Sequence, residues 1–431
     1  MKEEVLERLN IVKKGKTPSG YMAKKSGIYP EGWNENSIEE VCDLVDYRGK
    51  TPTKTEKGIF LLTAKNIKKG NIDYESSKEY ISPDEYEEVM RRGVPKKGDV
   101  VFTTEAPLGN VAQIDNEKIA IAQRVLKLRG KKNAILNDYL KQLLLSGNFQ
   151  SELDKESTGS TVKGIKGARF KKLKIVYPKM FEQQKIATIL STWDRTIHLK
   201  EKLIEEKTFQ KKGLLKRLLT GEIRLRGFEG EWEEVRLGDI FERVTRKNNE
   251  NNTNVLTISA QRGLINQKDF FNKTIASSNL DNYFLIRKGE FAYNKSYSNG
   301  YPMGAIKRLN LYEAGVVTTL YICFELIEEL HDNATFYEHY FESGLLIEQL
   351  TQIAHEGGRA HGLLNVSPGD FFNLRLPRPS LKEQNRLSEI FTTVCMQIEL
   401  LEKELEAIKV QKKGLMQLLL TGIVRVNALE N

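Results

Sequence analysis

The chain repeats itself at long range. Glu182-Gln183-Gln184-Lys185-Ile186 returns as Glu383-Gln384-Asn385-Arg386-Leu387, 201 residues later. Gln210-Lys211-Lys212-Gly213-Leu214 returns as Gln411-Lys412-Lys413-Gly414-Leu415, and Leu218-Leu219-Thr220-Gly221 as Leu419-Leu420-Thr421-Gly422, both at the same offset. Three blocks therefore align without a gap over about 40 residues. A period this long describes a duplicated unit, not a solenoid of short repeats. The copies run roughly from Pro30 to Gly230 and from Glu231 to Asn431.

Ahead of these blocks the copies diverge but keep their landmarks. Pro178 matches Pro379, and each follows an alternating apolar strand. Glu31-Gly32-Trp33 answers Glu229-Gly230-Glu231-Trp232, and Lys97-Gly98-Asp99 answers Lys288-Gly289-Glu290. Each unit is variable in front and helical behind.

The back part of each copy reads as one long helix. In the second, Leu387, Phe391, Val394, Ile398, Leu401, Leu405, Ile408, Leu415 and Leu419 fall in steps of four and three, with a lapse at Lys412. That is a heptad seam held for more than four heptads. The first copy places Ile186, Leu190, Trp193, Ile197, Ile204, Leu214 and Leu218 at equivalent positions, with Lys200, Lys207 and Lys211 where the seam should continue. Outer faces dense in Glu and Lys suit an exposed coil. Gly221 and Gly422 stand where a helix C′ cap belongs. The reading is two long helices in an antiparallel coiled coil, with an internal pseudo-twofold repeat.

The front parts are α/β (α+β) in texture, two copies of one kind of domain. Strands are expected at 58–62, 100–103, 119–128 and 173–176, and at 255–259, 289–294, 316–326 and 374–376. Helices are expected at 137–145 and 334–352. The domain plan is an N-terminal extension (1–29), a first variable domain (30–177), a helical region (178–222), a second variable domain (223–378) and a second helical region (379–431).

Composition excludes several classes. Three cysteines, Cys42, Cys323 and Cys395, are far apart, so neither a disulfide framework nor a CxxC metal knuckle is present. A reducing cytoplasm is the expected location, since MKEEVLERLN lacks the apolar core of a signal peptide. The apolar stretch Ala314–Phe324 is too short to cross a bilayer. The 11 prolines include no adjacent pair, which rules out the NPPY or DPPY loop of amino-methyltransferases. Gly15-Lys16-Thr17 and Gly49-Lys50-Thr51 lack the glycine a P-loop needs five residues earlier, where Asn10 and Leu44 stand. His355-Glu356-Gly357-Gly358-Arg359 fails the zincin pattern at its last residue, and a GxSxG elbow is absent. No catalytic, cofactor-binding or metal-binding constellation is expected. Lys and Arg total 67 against 58 Asp and Glu, a net charge of +9 that suits a polyanionic partner.

The duplicated E-Q-x-[KR]-[IL] helix start, the Q-K-K-G-L block and the L-T-G end, each behind a variable region, resemble the specificity subunit of type I restriction–modification enzymes. Gly49-Lys50-Thr51-Pro52 resembles that family's first recognition segment, whereas the second copy has Arg246-Lys247-Asn248-Asn249. The resemblance implies two target-recognition domains, each reading one half of a split, asymmetric sequence in double-stranded DNA. It implies helices that fix the spacing and dock two modification subunits, with restriction subunits as further partners. S-adenosylmethionine, ATP and magnesium would then be held by those partners, which methylate adenine or cut, and this chain would be a non-catalytic subunit. A coiled-coil adaptor with peptide- or RNA-binding α/β domains is the alternative, and salt-dependent duplex binding separates the two.

Phosphates are contacted by Lys, Arg, Ser and Thr on loops, and base edges by Arg, Lys, Asn, Gln and the Thr methyl. On that basis the first domain offers Arg48, Lys50, Thr51 and Lys54, then Lys65 and Asn66. It also offers Gln123 and Arg124 inside a strand, and Ser160, Thr161 and Lys163 in a Gly-rich loop. The second offers Arg246, Lys247, Gln261 and Arg262, the stretch Tyr293-Asn294-Lys295-Ser296-Tyr297, and Arg359 and His361 beside a glycine-rich loop.

The seam yields a ruler test. One heptad added after Ile197 and another after Ile398 keeps the apolar face and lengthens each helix by roughly 10 Å. That is about three base pairs. The altered protein should lose methylation or accept the same half-sites across a longer gap, as mapping of methylated adenines will show. The original gap at normal efficiency would mean that the helices do not set the spacing.

Overall fold

The computed structural model of the chain describes residues 3–47, 52–259, 262–270, 280–297, 300–356 and 364–426. Two compact units result, Met1–Lys202 with Lys403–Asn431, and Leu203–Glu402. Two 40-residue helices, α1 (Met180–Leu219) and α2 (Leu381–Leu420), each contribute one half to each unit.

The heart of the first unit is a four-stranded antiparallel sheet. Its strands are β1 (Cys42–Asp46), β2 (Val100–Thr103), β3 (Val111–Gln113) and β4 (Val125–Gly130), in the order β1-β4-β2-β3. The second unit repeats it with β5 (Phe241–Val244), β6 (Phe291–Asn294), β7 (Ala305–Arg308) and β8 (Ile322–Leu326), in the order β5-β8-β6-β7. The Lys-Gly-acid landmark explains itself here. Gly98 and Gly289 both take positive φ, and their N–H groups donate to Ile114 O and Leu309 O at 2.8 Å. The buried acid that follows caps its own turn, Asp99 accepting from Lys96 N and Glu290 from Arg287 N. Each acid then takes an arginine, Arg129 at 2.7 Å and Arg246 at 2.9 Å.

Three expected elements are broken in two. Residues 119–128 form Ile119–Ile121, which pairs in parallel with Ile59–Leu62, and then β4, which pairs antiparallel with β2. The chain changes sheets at Ala122–Arg124, so Gln123 and Arg124 lie in a turn instead of a strand. Residues 316–326 divide likewise into Ala314–Val317 and β8. The expected helix 334–352 becomes Ala334–Glu342 and Ile347–Ile353, interrupted at Gly344 with φ +80°. Alternation and periodicity count apolar residues and cannot see a change of pairing partner.

The duplicated motifs build the helix ends. After each L-T-G, the glycine adopts a left-handed conformation, φ +72° at Gly221 and +69° at Gly422. Gly221 N donates to Leu218 O and Gly422 N to Leu419 O, and Ile223 N then reaches Arg217 O and Val424 N reaches Leu418 O, so the last carbonyls of each helix are satisfied by the reversing chain. A Cβ on Gly422 would stand 2.5 Å from Pro30 Cγ, so only glycine fits. The reversed chain brings an arginine to the start of the other helix. Arg224 Nε and Nη2 meet Glu383 at 2.9 and 2.8 Å in the second unit. Arg425 Nε and Nη2 meet Glu182 at 2.8 and 3.1 Å in the first. All four residues obey the 201-residue offset. The adjacent glutamine is a second clamp. Gln183 donates to Pro178 O and Ala134 O and accepts from Leu136 N. Gln384 donates to Pro379 O and Asp332 and accepts from Asn333 N.

Within each unit the helix halves run antiparallel. In the first, Glu201 meets Lys409 at 3.0 Å, Asp194 is paired with Lys412 and Lys200 with Glu404, so numbers rise on one helix as they fall on the other. Ile186 and Leu190 share a core with Leu419 and Leu420. In the second, Leu218 and Leu219 share a core with Leu387 and Phe391. Ile398 and Leu405 are also buried, and Trp193, Ile197, Ile204, Val394, Leu401, Ile408 and Leu415 are half-buried. Leu214 departs from the expected seam. It is 42% exposed, and Leu215 packs inward instead.

Glu383 is almost fully buried and also accepts from Trp232 Nε1 at 2.9 Å. Arg224→Met should therefore destabilise the second unit by about 3 kcal/mol, because it strands a buried carboxylate. Replacing both Arg224 and Glu383 with apolar residues should recover most of that loss, as urea unfolding midpoints will show.

Candidate nucleic-acid interface

In the first unit three loops converge beyond the end of β2. Thr104 N and Oγ1 both donate to Arg124 O, at 2.9 and 3.1 Å, which ties the loop after β2 to the turn before β4. Ile165 N donates to Thr104 O at 3.0 Å, and Thr158 and Gly164 exchange two backbone bonds at 2.9 Å, which brings in the third loop. Two non-glycine residues here, Ala106 and Arg124, hold positive φ of 47° and 69°. Gly159 is required, because a Cβ there would meet Val162 O at 2.2 Å. The loops enclose a hollow of about 360 Å³ lined in part by Pro107, Gln150, Thr161 and Lys163.

Among the sequence candidates, Arg124, Ser160, Thr161 and Lys163 thus come together, and all are exposed. Arg124 pairs with Glu105 at 2.7 Å and Lys163 with Asp154 at 2.5 Å. Every partner in these pairs is more than two-fifths exposed. Such pairs are worth about 0.2–1 kcal/mol, so a phosphate can displace the carboxylate at little cost. Lys54, on the short strand Lys54–Thr55, pairs at 2.8 Å with Glu79, which is half-buried, and Lys65 is exposed.

Other candidates are committed to the fold. Asn66 is fully buried. It accepts from Thr63 N and Oγ1 and donates to Asp73 O and Ser77 O. Its hydrogen-bonding capacity is thereby used in holding the loop. Arg246 reaches the equivalent buried acid from a different place, just after β5 where Arg129 stands on β4; it is half-buried against Glu290 and within 3.6 Å of Glu325. Tyr293 is fully buried and stacks on Phe371 at 5.0 Å and 11°. Its hydroxyl donates to Met303 O at 2.8 Å, and burial pushes its pKa well up. It belongs to the core and is removed from the interface. Lys295 is half-buried, its Nζ 3.4 Å from Val366 O, and burial with nearby Arg243 lowers its pKa.

In the second unit Lys247 donates to Asn282 O at 2.8 Å and lies 4.7 Å above the Phe284 ring. Asn294 is turned locally, accepting from Ser296 N at 3.1 Å. The accessible second-unit candidates are Lys247, Arg262, exposed in the turn after Leu256–Ser259, and Tyr297, 63% exposed, with Ser296 half-exposed beside it. Gln123 is half-exposed in the sheet-switching turn. Arg48, Lys50, Thr51, Gln261, Arg359 and His361 lie outside the described residues. Among the described residues no group of three or more His, Cys, Asp and Glu could hold a metal ion. No helix among them is long and apolar enough to cross a membrane.

Sequence reading missed the Glu105–Ala106 loop, which carries no Lys or Arg, although Pro107 and Gly109 mark it as a turn. Its left-handed residue is set by contacts with residues about 20 and 60 positions away.

Comparison with known proteins gives two matches to one family model. Residues 30–207 and 229–410 each match the type I restriction modification DNA specificity domain. A protein assigned as the type I restriction enzyme MjaX specificity subunit of Methanocaldococcus jannaschii is 26% identical over 441 aligned positions, covering 93% of this chain and 95% of the relative. The fold is similar to that of the type I restriction–modification S subunit from M. genitalium, with TM-score 0.53, 16% identity, and coverage of 90% and 96%. A structure described for complex assembly and conformational transition of the type I system gives TM-score 0.54, 16% identity, and coverage of 92% and 99%.

The exposed pairs give a test. Replacing Arg124 and Lys163 with Ala should leave the melting temperature within a few degrees of the parent. It should flatten the salt dependence of duplex binding by about 0.9 log unit per lost phosphate contact. An unchanged slope removes this loop cluster from the interface.

Proposed function

The chain belongs to the family of type I restriction–modification specificity subunits, and on that premise we propose how it divides the work. Each recognition domain, 30–177 and 223–378, reads one half of a bipartite DNA site. One observation supports an asymmetric target above the rest. Two copies of one scaffold carry different side chains at their accessible loops, with Arg124, Ser160, Thr161 and Lys163 in the first against Arg262, Ser296 and Tyr297 in the second. Equal scaffolds with unequal readers specify unequal half-sites.

The two helices set the gap between the half-sites and carry the docking surfaces for two modification subunits. Exposed apolar side chains recur on them at the repeat offset. Leu199 is 55% exposed and Leu400 58%, while Phe209 is 79% exposed and Val410 69%. Large apolar groups facing water at matching places in both copies favour one partner bound twice. S-adenosylmethionine and adenine transfer belong to those partners, as do ATP and magnesium to the restriction subunits. This chain supplies address and assembly.

A domain exchange tests the reading. Replacing residues 30–177 with the matching region of another family member should change one half of the methylated sequence and leave the other half and the gap intact. Simultaneous change in both halves would refute independent readers.

A further inference from the structure

The first unit holds a second concavity that the DNA-reading loops do not use. It is a cleft of about 1020 Å³ bounded by the last three turns of α2, the middle of α1 and the helix Gly147–Glu156. Its floor is apolar, with Leu143, Phe149, Ile175, Met416 and Leu420 among the lining residues.

The charges around it do not balance. The carboxylates are all taken: Glu152 by Lys25 at 2.7 Å, Asp194 by Lys412 and by Gln142 at 2.7 Å, and Glu201 by Lys409 at 3.0 Å. Lys69, Arg195 and Lys413 are exposed on the rim, and among the described residues none of them has an ion-pair or side-chain hydrogen-bond partner. His198 lines the same rim. An apolar floor under an unneutralised cationic rim asks for a ligand with one apolar face and acidic flanks.

Dimensions select its form. From Lys409 to Leu420, α2 runs roughly 17 Å at 1.5 Å per residue. A helix of that length and 10–12 Å diameter occupies roughly 1,600 Å³, so the cleft takes about three-fifths of it. The outer edge of such a helix is left at the level of the rim cations.

The charge of the rim differs between the copies. At the repeat offset, Arg195 and His198 become Met396 and Glu399. The second unit therefore lacks one rim cation and gains a carboxylate. A partner docked equivalently on both copies would not need this difference, so the occupant is one that binds once per chain. The geometry points to a docking site for a single acidic amphipathic helix of a protein partner, seated by its apolar face on Phe149, Met416 and Leu420 and held by Lys69, Arg195 and Lys413. This is helix-in-groove recognition with i, i+3, i+4, i+7 anchors, and it stands independently of the DNA-reading assignment.

The probe is a fluorescein-labelled, acetylated peptide of about 14 residues, with leucine on an i, i+3, i+4, i+7 face and glutamate or alanine elsewhere. Fluorescence anisotropy with the full chain should show saturable micromolar binding. Arg195→Glu combined with Lys413→Glu should weaken it at least tenfold, and Met416→Asp should do the same. Lys212→Glu, at the repeat counterpart of Lys413, should leave it unchanged. If a charge reversal lowers the melting temperature, Arg195→Gln with Lys413→Gln replaces it, with a several-fold loss expected. Absence of saturable binding overturns the proposal, as does equal binding of a peptide with its leucines shuffled off one face. If the variants leave peptide binding intact but weaken random-sequence duplex, the rim is a phosphate track and the helix site is refuted.

Discussion

Two bidentate arginine–carboxylate pairs hold the repeated helix ends in place. An arginine in two-pronged contact with a carboxylate fixes orientation as well as distance. Here each arginine follows the cap of one helix and each carboxylate opens the other. The left-handed glycine before the arginine turns the chain back, and the glutamine after the glutamate anchors the adjoining domain through the start of its own helix. The spacing of E-Q and L-T-G-x-x-R along the chain is therefore a geometric necessity. Remove the cap and the arginine misses its partner; remove the arginine and a buried carboxylate is stranded.

The duplication is strict at the helix ends inside each unit and loose where the units meet solvent or ligand. Asp194 takes Lys412 and Lys141 in the first unit. At the offset position the second unit has Cys395, and its Lys211 faces the half-buried His339, whose pKa falls to about 4 through burial and that lysine. The same backbone site holds a lysine–aspartate pair in one copy and a lysine beside a histidine in the other. Drift of this kind costs little where an alternative pairing exists. It leaves each copy free to acquire its own ligands, as the cleft rim around Arg195 and His198 illustrates.

Polar residues of these domains fall into two physical groups. Arg129, Arg246 and Asn66 are spent on buried partners and cannot be released without leaving desolvated groups unsatisfied. Arg124 and Lys163 are paired with exposed carboxylates that a phosphate oxygen can replace. Exchangeable pairs of this kind suit a surface that must be soluble when free and cationic when a duplex arrives. They also keep neighbouring lysines from repelling one another in the absence of DNA.

The sequence by itself determined the duplication, the two helices with their capping glycines, the absence of a recognisable catalytic constellation, and hence the family. Those features are written in local spacing: heptads, a glycine after a helix, a motif that recurs. Only the tertiary structure decided which charged residues are available. Arg246 and Arg124 look alike in the sequence, yet one is fixed by Glu290 from 44 residues away and the other rests on exposed Glu105. Tyr293 reads as a recognition aromatic until Phe371, 78 positions later, is stacked upon it. Leu214 keeps the heptad yet is 42% exposed, and Leu215 packs on the core in its place. Burial and pairing depend on partners distant along the chain, and local pattern carries no information about which of them arrive.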